Sequence, residues 1–234
     1  MNPGPACGNL GQDAAEQIPA AWRVYSVAQS RPIDITIRRE NFRHPAGFWN
    51  IEDPPYGVVV EEAKRTLYSG LLTRTANSNA CECAIAQPGG AVIAFIREDW
   101  QKRRAGTKKW LGFIEYKSPK PEFVVTDAGG AEFCRIETFR DAAASRHYAI
   151  YRMAFAGVQY RLQETSGSGW AYNMRWAIFC ENKRVAETTR LGWNGVMLHR
   201  VELSLTSSEH LPAVVLLILT WWIEREPRGQ VSGG

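Results

Sequence analysis

The segment from Leu211 to Ile223 constrains the fold more than any other part of the sequence. It is apolar throughout except for Thr220, and charged residues bound it on both sides. Pro212 fits only the first turn of a helix and Pro227 discourages helix just before it, so the helix has roughly 14 residues and a length of about 21 Å. A bilayer core is about 30 Å thick. Burial within protein is therefore favoured over a membrane anchor, and no transmembrane span is expected.

A pattern of strand, turn, strand and closing aromatic residue occurs four times before this helix, at residues 25–42, 83–100, 123–139 and 176–193. The turns contain Gly89-Gly90, Gly129-Gly130 and Asn182-Lys183, and the flanking residues alternate between apolar and polar. Both features are typical of β-hairpins. Further strands are predicted at residues 56–61, 66–72, 110–116, 148–153, 158–163 and 196–205.

The chain is predicted to form one mainly β domain over residues 21–226. Its 234 residues, 45% of them hydrophobic, are sufficient for a single large core. A sheet has to enclose the apolar helix, placed at about residues 210–225, because helix is scarce elsewhere. The fold class is thus a closed antiparallel barrel of repeated hairpins around a C-terminal apolar helix. Residues 1–20 and 227–234, rich in glycine and other small residues, are expected to be flexible tails.

An intracellular location is expected from the cysteines and the first residues. The five cysteines are an odd number, and the first 20 residues lack the basic start and apolar stretch of a signal peptide. The prediction is a cytoplasmic protein, with the membrane surface and the nucleus as alternative sites of action.

Three segments together resemble the tubby-like superfamily, which includes tubby C-terminal domains, plant LURP-one-related proteins and phospholipid scramblases. They are residues 123–136 with their Asp-x-Gly-Gly turn, the tryptophan-closed hairpin at 176–193, and the apolar segment at 208–224. The resemblance implies a helix threaded through a closed barrel. It also implies phosphoinositide binding through basic residues on the barrel wall, although no single position matches. The proline-rich region, cysteine cluster and calcium-binding segment of scramblases are missing, so calcium-activated scrambling is not implied.

A basic segment between two predicted strands is the strongest local indication of function. Residues 97–120 contain eight Lys or Arg and three Asp or Glu, whereas the whole chain carries only +4. Such a segment can bind anionic lipid head groups or an acidic protein. Binding to nucleic-acid phosphates is possible but less favoured. The segment can also be a solvated surface loop without a ligand. A smaller group, Arg38, Arg39, Arg43 and His44, would add to it if the fold brought them close. The predicted site residues are Trp100, Lys102, Arg103, Arg104, Lys108, Lys109 and Trp110.

The sequence contains no recognisable catalytic or cofactor motif, such as a zinc-protease helix, a nucleophile elbow or a phosphate-binding loop. Cys81 and Cys83 share one face of a strand, where cysteine usually packs as a small hydrophobe rather than binding zinc. No catalytic residue, metal or cofactor is predicted. The expected function is a non-enzymatic peripheral adaptor for anionic membrane lipid or phosphoinositide. A protein-interaction scaffold, and a scramblase-like lipid-handling protein or enzyme with a site inside the barrel, remain as alternatives.

Overall fold

A computed structural model describes residues 22, 31–40, 55–74, 81–99, 109–110, 113–114, 122–139, 150–166, 175–194 and 197–225. Twelve strands form a closed barrel and two form a separate small sheet. The strands are β1 Ile33–Arg39, β2 Tyr56–Glu62, β3 Arg65–Arg74, β4 Cys81–Ala86, β5 Val92–Glu98, β6 Lys109–Trp110, β7 Phe113–Ile114, β8 Glu122–Asp127, β9 Glu132–Phe139, β10 Ile150–Phe155, β11 Val158–Ser166, β12 Arg175–Cys180, β13 Lys183–Asn194 and β14 Met197–Leu205. A 3-10 turn, Ser208–His210, leads into helix α1, Leu211–Arg225.

The barrel is an up-and-down meander in which each strand is antiparallel to both neighbours. The order around the barrel is β1-β14-β13-β12-β11-β10-β9-β8-β5-β4-β3-β2. Closure comes from the pairing of β1 with β14, in which Ile33 lies opposite Leu205 and Ile37 opposite Val201. The predicted fold class, a mainly β closed antiparallel barrel with a C-terminal helix, is confirmed.

The two ends of the barrel differ in the connections they carry. The short connections β2–β3, β4–β5, β8–β9, β10–β11 and β12–β13 lie at one end, called here the turn end. The opposite end, the loop end, carries the five longer connections, which are residues 40–55, 75–80, 99–121, 140–149 and 167–174. Helix α1 runs from the turn end, where Ser208 N donates to Arg31 O (2.9 Å), to the loop end, where Trp222 faces Arg39.

Helix α1 forms the axis of the core. Every residue from Leu211 to Ile223 is buried, which confirms the predicted burial and places the helix start within one residue of the expectation. Thr220, its one polar residue in this stretch, donates its hydroxyl to Leu216 O (2.8 Å). Within the described ranges no helix combines the length and apolar character needed to cross a membrane.

Tryptophans contribute much of the packing around α1. Trp176, Trp221 and Trp222 are buried, and the rings of Trp176 and Trp221 lie 4.7 Å apart between centroids. Trp22 is also fully buried and packs against the ring of Tyr68. Trp170 and the side chain of Trp193 lie outside the described parts of the chain.

The hairpins predicted at residues 83–100, 123–139 and 176–193 are confirmed as β4–β5, β8–β9 and β12–β13. The first two have matching turns. Gly90 N donates to Gln87 O and Gly130 N to Asp127 O, both at 3.0 Å. Gly90 has a φ of 88° and Gly130 a φ of 87°, a conformation that glycine adopts without strain.

Two strand predictions differ from the structure. The hairpin expected at residues 25–42 is not formed by β1, which pairs with β14 and β2 because closure of the barrel uses both of its edges. Its expected first strand and both predicted tails lie outside the described residues. The single strand expected at 110–116 is wrong: its described residues form two short strands, β6 and β7, which pair with each other.

Candidate functional site

The predicted basic segment leaves and returns to the barrel at a single point on the loop end. Asp99 N, just after β5, donates to Glu122 O at the start of β8 (2.8 Å). Between these two residues the backbone of β6 and β7 forms a small hairpin. Lys109 and Trp110 belong to β6, with only their backbone described. The other predicted site residues lie outside the described parts of the chain: Trp100, Lys102, Arg103, Arg104 and Lys108.

Positive charge is concentrated in this connection. Residues 100–121 contain seven Lys or Arg and one Glu, a net charge of +6. The whole chain carries +4, so the remainder has a net charge of −2. This one connection therefore carries more net positive charge than the entire protein.

The outer wall of the barrel, in contrast, pairs many of its arginines with glutamates. Arg38 Nη2 donates to Glu61 Oε1 (2.8 Å), and this bond raises the pKa of the guanidinium above its ordinary value. Arg152 pairs with Glu137 (2.7 Å) across β9 and β10. Arg97 pairs in the same way with Glu82 on β4 and β5. Each pair contributes little stability at the surface, but it offsets the positive charge of the wall locally.

The small basic group predicted around β1 is divided by the strand. Arg38 points outwards to Glu61, whereas Arg39 points inwards with 2% of its surface exposed. Successive strand residues face opposite sides of a sheet, so the two guanidinium groups cannot form one patch. Arg43 and His44 lie outside the described residues. Arg38 and Arg39 are therefore not brought together, which was the condition for their adding to the basic segment.

Arg39 is a buried cation at the loop end that the sequence reasoning did not identify. Its Nε donates to Leu198 O (3.1 Å), and its guanidinium carbon lies 3.7 Å from the centroid of the Tyr56 ring. The same carbon lies 5.9 Å from the Trp222 ring near the C-terminal end of α1. Aromatic faces and the negative end of the helix dipole both favour a cation at this position.

Two buried glutamates share this end of the barrel with Arg39. Glu98 follows inward-facing Ala94 and Ile96 on β5, and Glu164 follows inward-facing Leu162 on β11. The interior is thus apolar around most of α1 and becomes charged where the longer connections begin. The sequence pattern of these strands could have revealed both positions. Every second residue faces inwards, and each glutamate occupies the next inward-facing position after a series of apolar residues.

A buried histidine fixes the start of α1 at the turn end. His210 Nδ1 and the Tyr160 hydroxyl share a hydrogen bond of 3.1 Å, and Nε2 lies 3.4 Å from Glu209 Oε1. Burial lowers the pKa of His210 below its ordinary value, with Glu209 opposing the shift and Lys183 adding to it. The hydrogen bond ties the start of the helix to β11, and the lowered pKa favours the neutral imidazole.

The cysteines of the described strands are packing residues. Cys81, Cys83, Cys134 and Cys180 are all buried as free thiols. Burial raises the pKa of Cys83 to about 12, with a further contribution from Glu82. Among the residues with described positions, no three His, Cys, Asp or Glu side chains are grouped as a metal site requires. The prediction that Cys81 and Cys83 share one buried strand face is confirmed.

Neither a protein-family model nor a curated protein matches this sequence.

Proposed function

We propose that this protein is a non-enzymatic module that binds anionic membrane lipid, phosphoinositides included, through residues 100–121 at the loop end. The observation that carries the proposal is the net charge of +6 in one connection. Both ends of that connection are held together by the Asp99–Glu122 hydrogen bond. The charge is thereby confined to one connection whose two ends lie side by side.

The physical chemistry of membranes favours this interpretation. Each Lys or Arg near an anionic surface contributes about 1 kcal/mol, and tryptophan partitions to the interface between water and lipid. The segment supplies both kinds of side chain, with Trp100 and Trp110 bracketing its basic cluster. The paired arginines of the barrel wall compete less well for an anionic surface, because a glutamate already offsets the charge of each pair.

A site inside the barrel is the weaker candidate. Helix α1 occupies the axis, and its residues from Leu211 to Ile223 are enclosed on all sides. We include membership of the tubby-like superfamily in the proposal, supported by the barrel and its central helix, together with action as a peripheral adaptor on the cytoplasmic side of a membrane.

Vesicle co-sedimentation tests the proposal. Wild-type protein is mixed with neutral, phosphatidylserine-containing and phosphoinositide-containing vesicles, and compared with the triple variant Lys102→Glu, Arg103→Glu, Arg104→Glu. We expect the wild type to bind only anionic vesicles, and to bind them more weakly as salt is added. The triple variant should lose at least about 3 kcal/mol of binding free energy, which is a fall of more than about 100-fold in affinity.

A matched control applies the same change of net charge at the turn end. Lys64, Arg65 and Lys183 are exposed there, and their replacement by glutamate leaves residues 100–121 intact. Binding within a few fold of wild type is expected for this control. Failure of folded wild-type protein to bind anionic vesicles, or an equal loss in both variants, would overturn the proposal. Binding to an acidic protein without binding to vesicles would favour the scaffold instead.

A further inference from the structure

We infer that the outer wall of β10, β11 and β12 is a docking surface for an acidic segment of a partner protein, with Arg161 binding a carboxylate of that partner. The inference goes beyond the proposed lipid binding, because it adds a second surface on another part of the barrel. The residues that carry it belong to described strands. A module that binds lipid through one connection and protein through this wall makes the two contacts that an adaptor needs.

Arg161 differs from most arginines of the outer wall, because no carboxylate among the described residues pairs with it. Its Nε is buried and has no hydrogen-bond partner in the part of the chain that the structure describes. A buried donor of this kind costs free energy until an acceptor reaches it. Other arginines each form an ion pair with a glutamate: Arg31, Arg38, Arg97, Arg135, Arg152, Arg184 and Arg200.

The surroundings of Arg161 suit an anion. Its guanidinium carbon lies 5.2 Å from the centroid of the Phe179 ring, which is directly opposite on β12. Gln159 and Gln163 flank it on the same face of β11, where their amides can donate hydrogen bonds. Arg152 is directly opposite on β10. Like charges in opposite positions destabilise a sheet, and an anion bound beside them offsets that repulsion.

The charge of this part of the wall favours a carboxylate over a phosphate. Arg152, Arg161 and Arg184 lie in one row that crosses β10 to β13. Glu137 pairs with Arg152 (2.7 Å) and Glu187 with Arg184 (2.9 Å), so three Arg and two Glu leave a net charge of +1. A carboxylate carries one negative charge, whereas a phosphate monoester carries almost two. The planar guanidinium also fits both oxygens of a carboxylate at once.

The shape of the surface favours a protein over a small acid. The row lies on the convex outside of a closed barrel, whereas sites for small molecules are concave. The described outward-facing residues of β10, β11 and β12 include Arg152, Arg161 and Arg175 and no carboxylate. Arginine and aromatic residues such as Phe179 are enriched at the centres of protein interfaces. An acidic segment lying across the row would reach successive strands, which are about 4.8 Å apart.

Peptide binding tests the inference. The probe is a labelled, capped peptide of alternating glutamate and alanine, and the same peptide with glutamine in place of glutamate is the neutral control. Both are measured by fluorescence anisotropy on full-length protein that carries Lys102→Glu, Arg103→Glu and Arg104→Glu. These changes leave residues 100–121 with four Lys or Arg and four Glu, a net charge of zero, so that connection no longer attracts the probe.

NMR locates the bound peptide. The Nε–Hε signal of Arg161 is identified by its loss in an Arg161→Lys variant, and it is followed as peptide is added. We expect the acidic peptide to bind, to bind more weakly as salt is added, and to shift this signal. The neutral peptide should do neither. The shift is measured without a substitution in the wall, so it decides the question even where a wall variant misfolds.

Two arginine variants form a matched pair, because each removes one positive charge from the wall. Arg161→Gln removes the proposed anchor, whereas Arg200→Gln removes an arginine that pairs with Glu202 (2.7 Å) on β14. We expect Arg161→Gln to weaken peptide binding at least about fivefold and Arg200→Gln less than about twofold. Phe179→Leu removes the ring next to the guanidinium and should give an intermediate loss.

The outcomes separate this surface from the lipid-binding one. Equal losses in the two arginine variants, or an Arg161 signal that the acidic peptide does not shift, overturn the inference. Tighter binding of inorganic phosphate than of the peptide at this signal also overturns it. With residues 100–121 intact, Arg161→Gln should bind anionic vesicles as wild type does, and a loss there would assign Arg161 to lipid instead. Failure of wild type to bind vesicles overturns the proposed function alone.

Discussion

Replacing Gly70 by alanine is expected to destabilise the barrel by about 1–2 kcal/mol. Gly70 lies on β3 between Val58 of β2 and Ile85 of β4. A methyl group at its Cβ position would lie 2.6 Å from Val58 Cγ2 and 3.2 Å from Cys83 Sγ. Overpacking a core costs about 1–3 kcal/mol. The lower conformational entropy of alanine in the unfolded chain offsets about 0.4–1 kcal/mol of that cost.

A second substitution tests whether this contact is the cause. Val58→Ala removes two buried methyl groups and alone should cost about 2 kcal/mol. In the double variant the new methyl group of residue 70 enters the space that the Val58 side chain leaves. The double variant should therefore be destabilised by about 1 kcal/mol less than the sum of the two single variants. Urea unfolding followed by circular dichroism measures all four proteins.

The neighbouring substitution Ser69→Ala serves as the control. Ser69 is on the opposite face of β3, so its replacement should change the free energy of unfolding by less than about 0.5 kcal/mol. If Gly70→Ala were no worse than this control, or if the double variant were additive within about 0.3 kcal/mol, the close packing of β2, β3 and β4 at Gly70 would be refuted.

Two further predictions concern titrating groups. Burial lowers the pKa of His210, so the unfolded chain takes up the proton at a higher pH than the folded protein does, and the free energy of unfolding should fall as the pH drops below about 6.5. A His210→Gln variant should lose less of this free energy between about pH 7 and about pH 5. The same pH dependence in both proteins would contradict the prediction. Burial raises the pKa of Cys83 and Cys134 to about 12, so neither thiol should react with iodoacetamide at pH 8 until the protein is unfolded. Peptide mass spectrometry measures the labelling of each cysteine. Rapid labelling of either one in the native protein would refute this prediction.

The sequence predicted α1 and three hairpins because each depends on local features. The helix required only a short apolar stretch bounded by Pro212 and Pro227, and the hairpins required glycine turns with alternating neighbours. The partners of β1 depend instead on where the barrel closes, which no local pattern specifies. The strand expected at 110–116 is divided into β6 and β7, because a run of apolar residues does not show where the chain reverses its direction.

The candidate site was predicted only in part for a related reason. The charge of residues 100–121 can be counted in the sequence, but the loop end on which it lies emerges from the alternation of twelve strands. Arg39 illustrates the same point. It reads as a member of a basic cluster with Arg38, and only the inward direction of Ile33, Ile35 and Ile37 assigns it to the interior. Its contact with Tyr56 depends on the pairing of β1 with β2.

The closure of the barrel has a consequence for how the protein is made. Asp34 and Ser204, which bond across β1 and β14, are 170 residues apart, and the helix that fills the interior follows both strands in the chain. A nascent chain emerging from the ribosome therefore has a sheet with two unpaired edges and an empty axis until β14 and α1 have emerged. Such long-range closure is slow and leaves apolar strands exposed meanwhile. Synthesis of this protein should consequently depend on chaperones that shield the open sheet until α1 arrives.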